Sequence, residues 1–244
     1  MCGRYVSPDQ AAIERQWQLG RGESNPFGAR YNVAPQQGNP RNYIPVIRMG
    51  EDGAPELVRL QWWLLPHWSR EARIKYQTFN ARVETVATAA SYRTPLKRSR
   101  CLIPAVGWYE WQELPTGNLP WYLHGAHGQL LAFAGLWDRW EGADEVIDSC
   151  SIVIGPANAK FMPIHERMPF LLEGERGEQW LDRKLTDVEK VMALLQPAPD
   201  EAVAFHRVSK RVNNARVEDP AMIEPEPDRE AAPGSAQKGT ADLF

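Results

Sequence analysis

The sequence has few cysteines, and none of them lies near another. Only three occur in 244 residues, at Cys2, Cys101 and Cys150. An odd number without a close pair argues against a disulfide framework and against a zinc site of the CxxC type. We therefore expect the protein to function in a reducing compartment. Cys101 and Cys150 are expected to be buried structural thiols.

Long apolar segments are absent as well. No segment approaches the ~18 consecutive apolar residues that a membrane span requires, and the first residues lack the basic and then apolar layout of a signal peptide. We accordingly expect a cytoplasmic protein. No ligand pattern for a metal or a nucleotide is evident, so no cofactor is expected. With 43% hydrophobic and 24% charged residues, the chain can bury a core, which excludes a disordered or fibrous protein.

Helix signals are scarce, whereas strand signals recur along the chain. One helix is predicted to begin at Ser7, a capping residue, and to end near Gly20. A second is predicted to begin at Thr186 and to stop before Pro197. Short strands are predicted at residues 43–47 and 57–62, which form a hairpin, and at residues 101–103, 107–112, 121–123, 130–137, 150–154, 170–172 and 203–208. Many short strands with few helices indicate an α+β fold with a largely antiparallel sheet.

Residues 1–222 show no break in composition and are interpreted as one domain, whereas residues 223–244 differ. This last segment is rich in Pro, Glu, Ala and Gly, and its five acids against two bases account for the net charge of −3 of the whole chain. A disordered acidic tail is predicted, because the segment has too little apolar surface to fold. It ends on Leu243 and Phe244, which resemble the peptides that dock bacterial proteins on the DNA polymerase sliding clamp. Thr240 stands where such peptides usually have a glutamine.

The segment between Arg59 and Arg100 is strongly basic. Nine Lys or Arg residues stand against two acids, and six aromatic residues are interleaved with them. Cations and aromatic rings together suit single-stranded nucleic acid, because they neutralise its phosphates and stack on its bases. A solvated basic face beside ordinary core aromatics explains the same composition. The sequence leaves both interpretations open.

Cys2 is the most informative residue, because removal of Met1 exposes a cysteine at the N terminus. The ordinary pKa is about 7.7 to 8.0 for its α-amino group and about 8.5 for its thiol, which neighbouring bases can activate. With an aldehyde, the amine forms a Schiff base and the thiol closes on the same carbon to give a thiazolidine. A chance cysteine and the nucleophile of a glutamine amidotransferase are alternatives. The chain lacks the Asn-Gly-Glu segment that those amidotransferases use.

Eight segments together carry a more specific signal than any single motif. They are residues 2–5 (CGRY), 31–35 (YNVAP), 62–68 (WWLLPHW), 80–85 (NARVET), 101–105 (CLIPA), 107–111 (GWYEW), 164–169 (IHERMP) and 208–214 (VSKRVNN). In this order and spacing they resemble the SRAP family, the SOS response-associated peptidases or abasic-site processing proteins. The resemblance covers about residues 2–222. It implies a single domain whose largely antiparallel sheet curls into a partly open barrel with few flanking helices.

The resemblance also implies an activity, namely covalent crosslinking to abasic sites in single-stranded DNA during the DNA damage response, with associated lyase and self-processing peptidase activity. It makes Cys2 the nucleophile that forms a thiazolidine with the sugar aldehyde. It places Glu110 beside the α-amine, from which the carboxylate can take a proton. Asn80 is expected to bind the sugar and the nascent adduct, and His165 to supply acid/base catalysis for opening of the sugar ring.

For DNA contact, the resemblance points to three arginines and to two residues near the bases that flank the lesion. The arginines are Arg4, Arg82 and Arg167, whose planar guanidinium groups suit phosphate oxygens. The two residues near the bases are Pro35 and Trp68. A monomer that binds single-stranded DNA containing abasic sites is therefore expected.

The chain departs from the family pattern at two places. Residues 154–158 (IGPAN) replace a usual Thr-Thr-Glu-Ala-Asn, which puts a hydroxyl contact to DNA in doubt, and Trp63 replaces a glycine. Two other functions stay open, a self-processing cysteine peptidase and a non-covalent module that binds single-stranded DNA through the basic, aromatic segment.

Overall fold

The computed structural model describes residues 2–20, 26–39 and 43–226. The strands are β1 (Tyr5–Ser7), β2 (Arg30–Val33), β3 (Tyr43–Met49), β4 (Pro55–Trp62), β5 (Asn80–Arg82), β6 (Arg100–Ala105), β7 (Gly107–Gln112), β8 (Leu119–Gly125), β9 (Leu131–Glu141), β10 (Val146–Pro156), β11 (Arg167–Pro169) and β12 (Val203–Arg207). The α-helices are α1 (Gln10–Trp17), α2 (Arg93–Arg98), α3 (Glu175–Leu181) and α4 (Val188–Ala193). Within these ranges, no helix has the length and apolar character that a membrane crossing needs.

The strands form two sheets. The first has the order β12-β8-β7-β1-β2 with antiparallel neighbours throughout. The second has the order β11-β10-β4-β3-β6-β9, and because β9 also pairs along β10, five of its strands close into a barrel-like ring. Among the described strands, only the pairings of β10 with β4 and with β5 are parallel. The predicted α+β fold, with a largely antiparallel, barrel-like sheet and few helices, is confirmed.

Aromatic residues from both sheets meet edge to face in one core. The ring of Tyr5 in β1 lies 5.4 Å from that of Trp62 in β4 and 6.3 Å from that of Phe133 in β9. Trp108 in β7 packs against Phe133 at 5.7 Å. All four side chains are fully buried, and such contacts contribute about 0.5–1.5 kcal/mol per pair beyond burial of area. This aromatic cluster holds the first sheet against the second.

Most of the predicted strands are confirmed, and several are longer than predicted. The hairpin predicted at residues 43–47 and 57–62 is β3 and β4, which pair along seven registered positions. The predictions at residues 101–103, 107–112, 121–123, 130–137, 150–154 and 203–208 correspond to β6, β7, β8, β9, β10 and β12. The strand predicted at residues 170–172 is wrong. The chain is extended there, but the pairing strand β11 ends at Pro169, and Leu171 forms only an isolated bridge with Phe133.

Both predicted helices exist, but their starting points were wrong. Ser7 belongs to β1 instead of capping α1, and the side chain of Asp9 caps that helix. The second helix, α4, is capped by Asp187 and not by Thr186. In both cases the cap is an aspartate one or two residues after the predicted capping residue, and its carboxylate accepts hydrogen bonds from N–H groups of the first turn.

The basic, aromatic segment divides into buried and exposed parts. Arg100 is buried, and its guanidinium donates to five main-chain carbonyls, those of Leu96, Lys97, Trp180, Asp182 and Leu185. Of the six aromatic side chains, only Trp68 and Tyr76 are about half exposed. The core interpretation therefore holds for most of the rings, and the linear charge count overstates the basic surface.

The predicted tail lies mostly outside the described residues. Residues 223–226 still contact the body: Nε2 of His206 lies 2.8 Å from the carbonyl oxygen of Ile223, and the N–H of Glu226 donates to the carbonyl of Arg207 at 2.8 Å. Residues 227–244, with Leu243 and Phe244, lie outside the described ranges. The boundary of the tail and its clamp motif thus stay predictions.

Gly107 at the start of β7 leads to a prediction about stability. A Cβ at this position would overlap the carbonyl oxygen of Leu123 and lie 2.6 Å from the hydroxyl of Tyr122. Because the paired backbone of β8 cannot move away cheaply, Gly107→Ala is expected to lower the free energy of unfolding by about 1–3 kcal/mol. Urea unfolding measures the change. Gly20→Ala is the control, since nothing lies within 4 Å of its Cβ, and equal losses in both variants would contradict the prediction.

Candidate active site

Residues from four separate parts of the chain surround the N-terminal cysteine. Cys2 lies three residues before the start of β1, Glu110 lies in β7, Asn80 opens β5, and His165 lies in the loop between β10 and β11. The first two belong to the first sheet and the other two to the second. The pairing of β1 with β7 and that of β5 and β11 with β10 therefore position them.

Asn80 is held on both sides and contacts Cys2. Its backbone is paired with Ile152 of β10, and the hydroxyl of Tyr92 donates to its carbonyl at 3.1 Å. The side-chain Nδ2 donates to the carbonyl oxygen of Cys2 at 2.9 Å. The Oδ1 atom is buried and accepts no hydrogen bond from any described residue. A buried acceptor without a donor is costly, so this atom is suited to accept a hydrogen bond from a bound hydroxyl or amine.

Glu110 and His165 form the titratable pair of the site. The Oε2 atom of Glu110 lies 3.9 Å from Nε2 of His165. Glu110 is 2% exposed, and burial raises the pKa of its carboxyl from 4.5 to about 7. A carboxyl with this pKa exchanges a proton readily at neutral pH, which is what a general acid or base requires.

The main chain of Arg167 holds the ring of His165 in more than one protonation state. The Nδ1 atom of His165 lies 2.9 Å from the N–H of Arg167, which donates to it when Nδ1 carries no proton. It also lies 3.2 Å from the carbonyl oxygen of the same residue, which accepts when Nδ1 is protonated. Burial lowers the pKa of His165. Its Nε2 can gain or release a proton toward Glu110 while the ring stays in place.

The thiol of Cys2 differs from the activated thiol that the sequence suggested. In the full chain, where Met1 precedes it, the side chain of Cys2 is fully buried. Burial, and secondarily the charge of Glu110, raise the pKa of the thiol well above its ordinary value. The thiol is therefore protonated at neutral pH.

The three arginines predicted to contact DNA have different environments. Arg82 is exposed at the end of β5. Arg167 forms an ion pair with the exposed carboxylate of Glu84, which orients its guanidinium. Arg4 is partly buried, and its Nη1 donates to Asn32 Oδ1 and to a main-chain carbonyl, both at 2.8 Å. Arg82 is therefore the exposed arginine of the three, whereas Arg167 is held by Glu84 and Arg4 is held by Asn32 and by the carbonyl of Val212.

The two residues predicted to lie near the flanking bases are both at the surface. Trp68 is 46% exposed, and its indole Nε1 donates to the carbonyl of Ala90 at 3.1 Å, which fixes the ring. Pro35 follows β2 and is half-buried. A fixed, exposed indole is a suitable platform for base stacking.

The departures from the family pattern have local explanations. Ile154 is buried in the core, and a Cβ at Gly155 would overlap the ring of Phe170, so neither position offers a hydroxyl. Trp63, in place of a glycine, packs against Phe79 with ring centroids 5.1 Å apart. It thus supports a buried ring next to Asn80.

Sequence reasoning missed two residues that support the site. Glu84 pairs with Arg167, and its signal was present, since it belongs to the segment 80–85. Tyr92 fixes the backbone of Asn80 and lies outside all eight segments, so only the structure identifies it. In the described part of the chain, no three His, Cys, Asp or Glu residues are grouped as they would be around a metal ion.

Comparison with solved structures supports the fold. A protein from Bacteroides thetaiotaomicron matches with a TM-score of 0.80 at 23% sequence identity, over 93% of this chain and 100% of that one. A phage-related protein from Bordetella bronchiseptica matches with a TM-score of 0.67 at 28% identity, over 86% of this chain and 95% of that one. The fold and the site thus define a two-sheet α+β protein with a buried cysteine near its N terminus.

Comparison with curated sequences identifies the family. The model of "SOS response associated peptidase (SRAP)" matches residues 1–215. "Abasic site processing protein YoqW" of Bacillus subtilis is 35% identical over 231 residues, which are 92% of this chain and 99% of that protein. "Abasic site processing protein HMCES" of Gallus gallus is 31% identical over 224 residues, 80% of this chain and 66% of that protein. The chain belongs to the SRAP family.

The raised pKa of Glu110 predicts how stability depends on pH. Because this pKa is about 7 in the fold and 4.5 ordinarily, the folded state binds more protons between these values. Stability therefore falls as the pH rises through the window, by about 2–3 kcal/mol from pH 5 to 8. Glu110→Gln does not titrate and is expected to lack this loss.

Urea unfolding of wild type and Glu110→Gln at several pH values checks the prediction. Glu71→Gln, at an exposed carboxylate, is the matched control and should keep the pH dependence of the wild type. If the free energy of unfolding of wild type and of Glu110→Gln changed with pH in the same way, the prediction would be contradicted, because burial would then not raise the pKa of the Glu110 carboxyl.

Proposed function

We propose that this protein processes abasic sites in single-stranded DNA by forming a covalent bond between Cys2 and the lesion. The observation that carries the proposal is the position of Cys2, which accepts a hydrogen bond from Asn80 in a site that also contains the Glu110 and His165 pair. Relatives named as abasic site processing proteins, at 35% identity over most of the chain, support the same substrate. In its ring-opened form an abasic sugar carries an aldehyde, which is the group that an N-terminal aminothiol captures.

The first steps give an imine. His165 donates a proton to the ring oxygen of the deoxyribose as the hydroxyl on C1′ loses its own, and the ring opens to the aldehyde. Glu110, with a pKa of about 7, takes a proton from the α-ammonium of Cys2 near neutral pH. The amine adds to C1′ and one water leaves, so that a carbon–nitrogen double bond forms. The free acceptor Oδ1 of Asn80 suits a sugar hydroxyl or the nascent amine.

The last step closes the ring. The sulfur of Cys2 adds to the imine carbon and its proton passes to the nitrogen, which completes the thiazolidine. Because burial keeps the thiol protonated, the amine is expected to react before the sulfur. Cys2 belongs to the same buried cluster as Trp108 and Phe161, and exclusion of water there protects the imine from hydrolysis.

The same imine accounts for the associated activities. It acidifies the protons on C2′, so that β-elimination of the 3′ phosphate can cleave the strand, which is the lyase activity. Removal of Met1 must come first, and the proposal includes hydrolysis of that bond by the site itself, which is the peptidase activity. The completed crosslink shields the lesion during the DNA damage response. The protein would act as a cytoplasmic monomer that joins the nucleoid when bound to DNA.

The surface around Cys2 suits a single strand. The exposed Arg82 and the oriented Arg167 provide positive charge for phosphates, and the partly buried Arg4 contributes a third guanidinium. Trp68, with Pro35, provides apolar surface for the bases on either side of the lesion. Backbone contacts of this kind position the strand without selecting its sequence.

The direct test is the mass of the protein after incubation with a single-stranded oligonucleotide that carries one abasic site. Wild type is expected to lose Met1 and to gain the mass of the oligonucleotide minus one water, in a product that survives denaturing electrophoresis. Cys2→Ala should form no such product, because it lacks the sulfur. Cys101→Ala is the matched control, since Cys101 is buried in the core, and it should react as the wild type does.

The other outcomes separate the alternatives. Retention of the oligonucleotide only under native conditions would replace the covalent mechanism with a non-covalent binding module. A Cys2-independent adduct would assign the reaction to another amine. The state of Met1 tests self-processing. If Asn80→Ala and His165→Ala retain Met1 while Cys101→Ala loses it, the site itself removes the residue. If all three variants lose Met1, an aminopeptidase removes it.

We further propose that Leu243 and Phe244, which lie outside the described residues, dock on the DNA polymerase sliding clamp. The support is the sequence pattern, two large apolar residues at the end of a polar segment. Deletion of both residues is expected to abolish binding to the clamp in surface plasmon resonance without changing crosslinking. Equal clamp binding by the full chain and the deletion variant would disprove docking.

A further inference from the structure

A small cavity adjoins Asn80, between the end of the segment before β5 and the turn that follows it. Its volume is about 260 Å³, and it is lined by Gln77, Phe79, Asn80, Arg82, Thr85 and Tyr92. Ligand pockets usually begin at about 300 Å³, so this one has room for one planar ring system and not for a longer ligand. Asn80 also contacts Cys2, so this residue connects the cavity to the candidate active site.

Two aromatic residues give the cavity flat apolar surface. Phe79 and Tyr92 are both less than a tenth exposed. Phe79 is supported by Trp62 at 6.3 Å and by Trp63 at 5.1 Å, and the hydroxyl of Tyr92 is bound to the carbonyl of Asn80. Rings fixed in this way are suited to stack on a nucleobase. Trp63, which replaces the family's glycine, makes this wall a feature of this chain.

The polar rim of the cavity is formed by Gln77 and Arg82. Both are exposed, and the side-chain amide of Gln77 has no hydrogen-bond partner within the described ranges. Glutamine pairs in a bidentate manner with N6 and N7 of adenine, and its amide N–H can donate to N7 of either purine. The side chain of Gln77 is thus suited to the N7 edge that purines have and pyrimidines lack, an edge that is accessible in a single strand, while Arg82 beside it remains available for a phosphate.

The cavity is also continuous with the proposed path of the strand. Two of its lining residues, Thr85 and Tyr92, lie near the ends of the turn segment 83–92. The carbonyl of Ala90 in this segment accepts the hydrogen bond from the indole of Trp68. In the proposed complex, a strand with its abasic sugar at Cys2 and further bases on Trp68 runs along this cavity, which borders Asn80 and the turn segment that binds Trp68. The base that it meets there is an immediate neighbour of the lesion.

We propose that this cavity binds a purine base next to the abasic site and that Gln77 determines the preference. The inference rests on the proposed function, because the lesion at Cys2 sets which base enters. It adds sequence selectivity to a reaction whose other DNA contacts involve phosphates and stacking. Purines on one side of the lesion are expected to accelerate crosslinking at least about five-fold over pyrimidines.

The test uses single-stranded oligonucleotides with each of the four bases placed on the 5′ or the 3′ side of one abasic site. Crosslinking rates are measured for wild type, Gln77→Ala and the control Gln196→Ala, an exposed glutamine outside the cavity. Gln77→Ala is expected to reduce the purine preference to less than about two-fold by slowing the preferred substrates, and Gln196→Ala to keep it.

A second measurement removes the dependence on covalent chemistry. Dissociation constants of Cys2→Ala, with and without Gln77→Ala, are determined for the same sequences carrying tetrahydrofuran, an abasic analogue without an aldehyde. A purine preference that disappears with Gln77→Ala supports the cavity even if no crosslink forms, in which case only the proposed function fails. Four outcomes would overturn the inference. They are equal crosslinking rates and affinities for all neighbouring bases, a preference for pyrimidines, a purine preference that survives Gln77→Ala, and the absence of binding.

Discussion

The edge-to-face packing of aromatic rings between the two sheets is the interaction on which the site depends. Tyr5 joins β1, and with it Cys2, to Trp62 and Phe133 of the barrel-like sheet, while Trp108 joins β7 to the same ring. Cys2 and Glu110 are positioned by one sheet, and Asn80 and His165 by the other. The distances in the site therefore depend on the separation that these rings set between the sheets.

Burial that results from this packing also determines the chemistry of the titratable groups. It raises the pKa of Glu110 to about 7 and that of the Cys2 thiol well above its ordinary value, and it lowers the pKa of His165. The pKa of the Glu110 carboxyl is thereby brought near neutral pH, where proton exchange is easiest, whereas the imidazole of His165 favours its uncharged form. The sulfur is kept as a thiol, which favours attack by the amine first. One physical cause thus orders the proposed reaction.

The chain-specific departures concern the surroundings of the site more than its centre. Gly155 leaves space for the ring of Phe170, and Trp63 supports Phe79 beside the cavity. In the proposed complex these residues shape the walls that a neighbouring nucleotide meets, while Cys2 and Asn80 keep their contact.

The sequence alone determined the family, the α+β class and the hairpin, because these depend on local patterns and on the order of motifs, and it supplied the proposal that Cys2 is an aminothiol nucleophile. It did not determine where α1 begins. Ser7 pairs with β2 as part of β1, so Asp9 and not Ser7 caps the helix. Nor did it determine that Arg100 is buried, or that Tyr92 fixes Asn80. These features, and the pKa values, arise from contacts between distant segments, which only the tertiary structure brings together.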